Sequence, residues 1–438
     1  MFDPRPSGSI LRPSVLTMAV LAMLVAAGCG TSVPSPSVTA VPPSPTPLTT
    51  DAPSASASPA PSADVDAIYD AIEEQVIEIR GLQPTEDVAR RVIDEAELRT
   101  LITQQFDEET PPDYVEANDR LYKALDLIPV DSSLRDLTLD MLSGGVAGFY
   151  RPDENTLYVV SKTGLPGVNE RITFAHEYDH ALQDQHTTVF ADQDGILDQT
   201  DRILARQAIY EGDASVVMYS WGAANFDVSD LAELLELAND PEQLALLERM
   251  PAILEETLLF PYTTGLTYVQ TAQLAGGWAA VDAFYDRMPV STEQILHPEA
   301  YAANEEPVDV DLPDDLAAQL GNGWSVSIED TFGELQLGIW LRESGIAAEA
   351  ASTATTGWGG DRLAVVDGPG NAWGVVLETA WDSTSDAGEF ADAAQTAVDG
   401  LSNPAGISAP ADSTVTILVA SDEETLLALD VIFGATGV

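Results

Sequence analysis

His176-Glu177-Tyr178-Asp179-His180 constrains this chain more than any other stretch. It is an H-E-x-x-H on a predicted helix, and at about 3.6 residues per turn its two histidines share one face. Two imidazoles so placed can hold one metal ion. Glu177, beside the first of them, then reaches a water held by that ion. The chain has 4 histidines in 438 residues, and two of them fall in this arrangement. A catalytic metal of this kind needs a third protein ligand and one open position. The fold must therefore bring a ligand from elsewhere to the face of this helix.

Two residues are candidates. Glu211 lies in Tyr210-Glu211-Gly212-Asp213-Ala214, on a later predicted helix whose neighbouring positions Ile209, Val216 and Val217 are apolar. A carboxylate in such surroundings is costly unless paired or bound to a metal. Gly212 and Ala214 are expected to let this helix approach the first one closely. His186 is the alternative, because its spacing follows the extended H-E-x-x-H-x-x-G-x-x-H pattern. Gln183 stands at the glycine position of that pattern, and on a continued helix His186 sits about 240° round from His180. Glu211 ranks first and His186 stays open.

The rest of the chain excludes several classes. Formal net charge is −54, and Lys123 and Lys162 are its lysines. Such a surface repels phosphate backbones, so nucleic acid is not an expected partner. Cys29 is the single cysteine, which excludes an internal disulfide, a cysteine metal cage and a thiol nucleophile. At the N-terminus, Arg5 and Arg12 precede an apolar run over 15–27 and then Ala26-Ala27-Gly28-Cys29. Small residues before a cysteine, after an apolar run too short to span a bilayer, mark a cleavage site. This resembles the lipobox of bacterial lipoproteins, with Ala26 where leucine is usual. The resemblance implies a lipid on Cys29 and an extracytoplasmic, membrane-anchored protein. Residues 30–63, nearly all Pro, Ser, Thr, Ala and Val, read as a disordered tether after a signal segment at 1–29.

Apolar spacing of three and four predicts helices through 64–143. They run over Ile68, Ile72, Val76 and Ile79, then Val88, Val92 and Leu98, then Tyr114, Leu121 and Leu125, then Leu134, Leu137 and Met141. Residues 148–161 read as a hairpin about Pro152-Asp153-Glu154-Asn155. More helices are expected over 203–221, 231–247, 253–259, 263–274, 278–287 and 331–342, with a surface loop over 303–323. From about 345 the texture changes to strands at 362–366, 373–379 and 414–420 and helices at 387–398 and 423–433. The expected fold class is α+β. It comprises a mainly helical domain at 64–345, with a small hairpin before the H-E-x-x-H helix, and a small α+β unit at 346–438.

His176 to His180 with Glu211 downstream resembles the gluzincin metallopeptidases. More closely, His180-Ala181-Leu182-Gln183-Asp184-Gln185-His186 followed by Glu211-Gly212-Asp213-Ala214 resembles a group of bacterial and archaeal lipoproteins. Phe260-Pro261-Tyr262, Ser291 to Pro298, Trp358 to Arg362 and Trp381-Asp382 extend the likeness over most of 145–395. The resemblance implies a zincin-like domain, zinc held by His176, His180 and Glu211, and Glu177 as the catalytic carboxylate acting on a peptide or protein substrate. It also implies that a strand beside the active helix pairs with extended peptide. Ser215 replaces the aspartate that such enzymes place four residues after the glutamate ligand, so Asp213 or Asp184 would have to serve instead. Oxyanion donors are sought in His297, Tyr262 and Tyr268. The second reading is a binding or scaffold lipoprotein without catalysis. The residues do not set an oligomeric state.

Overall fold

The structure is a computed structural model that describes Thr17–Met18 and residues 65–161, 163–191, 196 and 198–435. The expected lipidation site at Cys29, most of the signal segment, the tether at 30–63 and the acidic turn at 192–195 lie outside these residues. Among the described residues, no helix is long and apolar enough to cross a membrane.

The architecture is α+β and mainly helical, with two sheets. The first sheet contains β1 (Thr17–Met18), β2 (Ala89–Ile93), β3 (Gly148–Arg151) and β4 (Thr156–Val160), in the order β1-β3-β4-β2. β3 and β4 form the expected hairpin, turning through Asn155 in a left-handed conformation. Every residue of β4 is buried, because the sheet is covered on both faces. Tyr150, Leu157 and Val159 pack with the H-E-x-x-H helix and with Tyr69, Ile72 and Val76 of helix Val65–Arg80. The alternate residues Phe149, Tyr158 and Val160 pack with Leu98, Ile102 and Leu139. This is the period-two alternation of a strand between two helical layers.

The reading of Val88 and Val92 as helical is corrected. Ala89–Ile93 is a strand, paired in parallel with Thr156–Val160. Its β-branched end suits a pleated surface, and Asp94 then caps the next helix by accepting from the Glu97 amide (2.8 Å). The single helix expected over 231–247 is two, Val228–Ala238 and Pro241–Glu248. Pro241 lacks the N–H that would continue the first helix and suits the first turn of the second.

The second sheet is antiparallel: β5 (Ser325–Asp330), β6 (Trp358–Asp367), β7 (Trp373–Trp381), β8 (Ala405–Ile407) and β9 (Thr414–Ala420), ordered β5-β6-β7-β9-β8. β5 lies upstream of the expected boundary at 346. One face of this sheet, through Leu363, Val365, Val375, Leu377 and Val419, shares a core with Ala117 and Leu121 of helix Pro112–Ala124 and with Trp340. The other face packs on Leu426 and Leu429. The C-terminal unit is thus joined to the helical part by common apolar packing.

Candidate metal centre

The H-E-x-x-H helix, Val168–His186, runs through the middle of the helical part, with 13 consecutive or near-consecutive side chains from Val168 to Gln183 buried. Beside it lies the long helix Thr200–Asn225, which carries Glu211. Together they bring three ligand atoms into a small triangle. His176 Nε2 is 3.0 Å from His180 Nε2, and Glu211 Oε2 is 3.1 Å and 3.2 Å from these two nitrogens. Among the described residues, this is the group of histidine and carboxylate side chains arranged to hold a metal ion.

The donor set fits a tetrahedral metal. Bonds of about 2.0–2.1 Å put tetrahedral ligand atoms about 3.3 Å apart, close to the triangle seen. The chemistry agrees, since two imidazoles and one carboxylate are the set that leaves a fourth position open. His176, His180 and Glu211 would hold the ion. All three are buried, as is Glu177. A carboxylate beside two imidazoles in such a place is expensive unless its charge is met.

The electrostatics report the same proximity. Burial pushes the Glu211 carboxyl up, but His180 and His176 outweigh it and hold it down to about 2. Burial pushes His180 down, yet the Glu211 and Glu177 carboxylates lift it to about 9. For His176 burial prevails and its value is lowered.

Two close approaches make this assembly possible. A Cβ on Gly148, at the start of β3, would stand 2.7 Å from Thr173 Cγ2 and 2.8 Å from the Tyr158 carbonyl, with Glu177 Cγ at 3.6 Å. Only glycine lets the strand lie this close to Thr173 of the H-E-x-x-H helix and to the neighbouring strand. A Cβ on Gly212 would stand 2.6 Å from the Gly265 carbonyl. The close approach expected of Gly212 is therefore to Pro261–Gly265 and not to the H-E-x-x-H helix. That segment is a π-turn between helices Ala252–Phe260 and Leu266–Gly276. Such turns widen a helix and re-aim its side chains. Here Tyr262 is buried with its ring 6.1 Å from that of His176 and its hydroxyl hydrogen-bonded to Glu211. Burial, then the Glu211 and Glu177 charges, hold the Tyr262 hydroxyl well above its ordinary value, so it stays a donor.

The other expected site residues lie elsewhere. The helix continues through His186, which is exposed and bonds the Gln83 carbonyl (2.7 Å). His297 pairs with Glu334 (2.9 Å), a contact that lifts its value. Tyr268 sits in an aromatic cluster with Phe284 and Tyr301. Asp184 accepts from the Tyr150 hydroxyl (2.8 Å). Asp213 takes Arg80 Nε (3.0 Å) and the Tyr285 hydroxyl (2.8 Å). The Trp358 to Arg362 motif has core and joint duties: Asp361 accepts from the Phe332 and Gly333 amides (both 2.7 Å) and from Trp358 Nε1 (3.0 Å).

Several residues about the centre carried no sequence signal of their own. Gln183 meets the far nitrogen of His180 (3.0 Å). Phe190 and Tyr210 set ring edges against His180, each with centroids 6.0 Å away. The one available clue was the spacing of Asp179 and Gln183, four apart on a helix.

A family described as a domain of unknown function (DUF8575) matches residues 324–430, the stretch of the second sheet. No curated protein matches the chain. A crystal structure of a candidate hydrolase with a novel fold from Chloroflexus aurantiacus is similar at 16% identity and a TM-score of 0.34, over 55% of this chain and 88% of that one.

Proposed function

We propose that this chain is a zinc-dependent metallopeptidase of zincin type, tethered outside the cytoplasm through a lipid on Cys29. One observation carries the reading: three buried ligand atoms lie 3.0–3.2 Å apart with Glu177 adjoining them. Zinc at that point would supply a Lewis acid and lower the pKa of a water to about 7. Glu177 then takes the water's proton on its carboxylate and passes it to the leaving amine. The Tyr262 hydroxyl turns its proton from Glu211 to the oxygen of the attacked carbonyl, where negative charge develops. β3 lies against Glu177 through Gly148. Its outer edge accepts an antiparallel partner, here Thr17–Met18 opposite Tyr150 and Phe149. An extended peptide added to that edge passes beside the carboxylate, held mainly by main-chain hydrogen bonds.

Near-complete burial of the four site residues is the observation that favours the second reading, a metal-holding scaffold without turnover. Zinc content and cleavage of an unfolded protein decide between them. We expect about one zinc per chain, most of it lost in Glu211→Ala. We expect Glu177→Gln to keep zinc while cleavage falls by ~10²–10⁴. Undiminished cleavage in Glu177→Gln sinks the mechanism, and a wild type without metal sinks the reading.

A further inference from the structure

We infer that Gln183 is the positioning residue of this centre: it fixes which nitrogen of His180 faces the metal, and it ties that ligand to Glu211. The inference rests on the metal reading above.

A carboxamide can place either its oxygen or its NH2 towards a neighbour, and the surrounding partners decide which. Gln183 is buried, and one end of its amide faces two acceptors: Asp179 Oδ2 at 2.8 Å and the Tyr210 carbonyl at 3.0 Å. Only the NH2 group satisfies both. The reverse orientation would set oxygen against two oxygens and strand both acceptors away from water, which is costly. The other end, Oε1, therefore faces His180 Nδ1 at 3.0 Å, and an oxygen there requires a proton on Nδ1. The lone pair of His180 is thereby left on Nε2, the atom in the triangle with His176 and Glu211.

The same amide reaches across to the second helix. Tyr210 immediately precedes Glu211 in the chain, so the Gln183 to Tyr210 bond holds the Glu211 backbone in register with His180. Asp179, the far acceptor, sits in the field of the buried Arg80–Asp213 pair. His176 has a backbone contact to Ala214 in place of such a side chain, so the Gln183 relay acts on His180 alone. Outer partners of this kind typically change metal affinity by about 10–100-fold when removed.

The test is zinc affinity by competition with a chelator on the full chain, together with the thermal midpoint of each metal-free form. We expect Gln183→Leu to weaken zinc binding by about 10–100-fold. Gln183→Glu should also weaken it, since a carboxylate then opposes Asp179. Adding Asp179→Asn turns that acceptor into a donor, and the double variant should recover only part of the loss, because the Tyr210 carbonyl still faces an oxygen. A purely structural role would lower the midpoint in all variants and leave zinc affinity alone. Wild-type affinity in Gln183→Leu overturns the inference while the metal reading stands. A wild type that takes no zinc overturns the metal reading itself.

Discussion

Arg80 shows how a buried charge is held by partners far along the chain. Burial works against its charge, but Asp213 and Asp179 outweigh burial and keep the guanidinium ionised. It binds Asp213 through Nε (3.0 Å) and Nη2 (3.1 Å), and Asp282 through Nη2 (2.7 Å). Removing one member of a buried pair strands the other, at about 3–5 kcal/mol. Arg80→Leu is therefore expected to lose stability on that scale in urea unfolding, and Arg80→Leu with Asp213→Leu to recover much of it. A loss under about 1 kcal/mol for the single variant would mean that the pair is hydrated and behaves as a surface bridge. Nothing in the sequence marks this arginine. It ends an amphipathic helix, a common place for a cation, and its partner lies 133 positions away. Glu211 was legible for the opposite reason: its apolar neighbours on a helix make an unpaired carboxylate implausible.

Between elements, the decisive contact is Gly212 on Gly265. Both neighbours of a new Cβ at 212 are poorly yielding, the Gly265 carbonyl at 2.6 Å and Val269 Cγ2 at 2.8 Å. Gly212→Ala should push the Glu211 helix away from the π-turn and separate Glu211 from Tyr262. Overpacking of this kind costs about 1–3 kcal/mol. We expect a lower thermal midpoint and weaker zinc binding together; an unchanged midpoint would show that the two backbones are free to part. The elements that sequence made visible are those with strong local pattern: the H-E-x-x-H helix, the β3–β4 hairpin and the apolar strands β6, β7 and β9. β2 and β5 were hidden because their pattern is set from outside. Only Ile93 of β2 is buried, and β5 is a half-exposed edge whose buried positions are Ile328 and the acidic Asp330. Pairing with β4 and β6 makes them strands. The π-turn was hidden too, since Phe260-Pro261-Tyr262 reads locally as a helix break.

Across the whole molecule, buried carboxylates join the Glu211 helix to the second sheet and to the segment that begins helix Glu293–Leu296. Asp330 accepts from the Thr200 amide (2.7 Å) and hydroxyl (2.6 Å), and Asp201 accepts from the Thr292 amide (3.2 Å). Burial pushes Asp201 up to about 7 and Asp361 up to about 6, against about 3.9 for an unfolded aspartate. The folded state thus holds these protons more tightly than the unfolded one. Their stabilising effect is complete below about pH 4 and is lost as pH rises through 6 and 7, at up to about 1.4 kcal/mol per unit for each group. A net charge of −54 adds self-repulsion in the same direction. We therefore expect the thermal midpoint to fall from pH 5 to pH 8, partly restored by salt, and to fall less steeply in Asp201→Asn. A midpoint that climbs over that interval contradicts the assignment. The core that spans the chain has another consequence, one of time. Ala117 and Leu121 bury their side chains with Val375, Val415 and Val419, and Arg120 pairs with Asp367. A ribosome releases the first of these long before the last. Until β9 has left the tunnel, the early helices have no finished surface to close on, and contacts so distant along the chain form slowly. In a newborn chain the early helices therefore wait for β9 before this core can close.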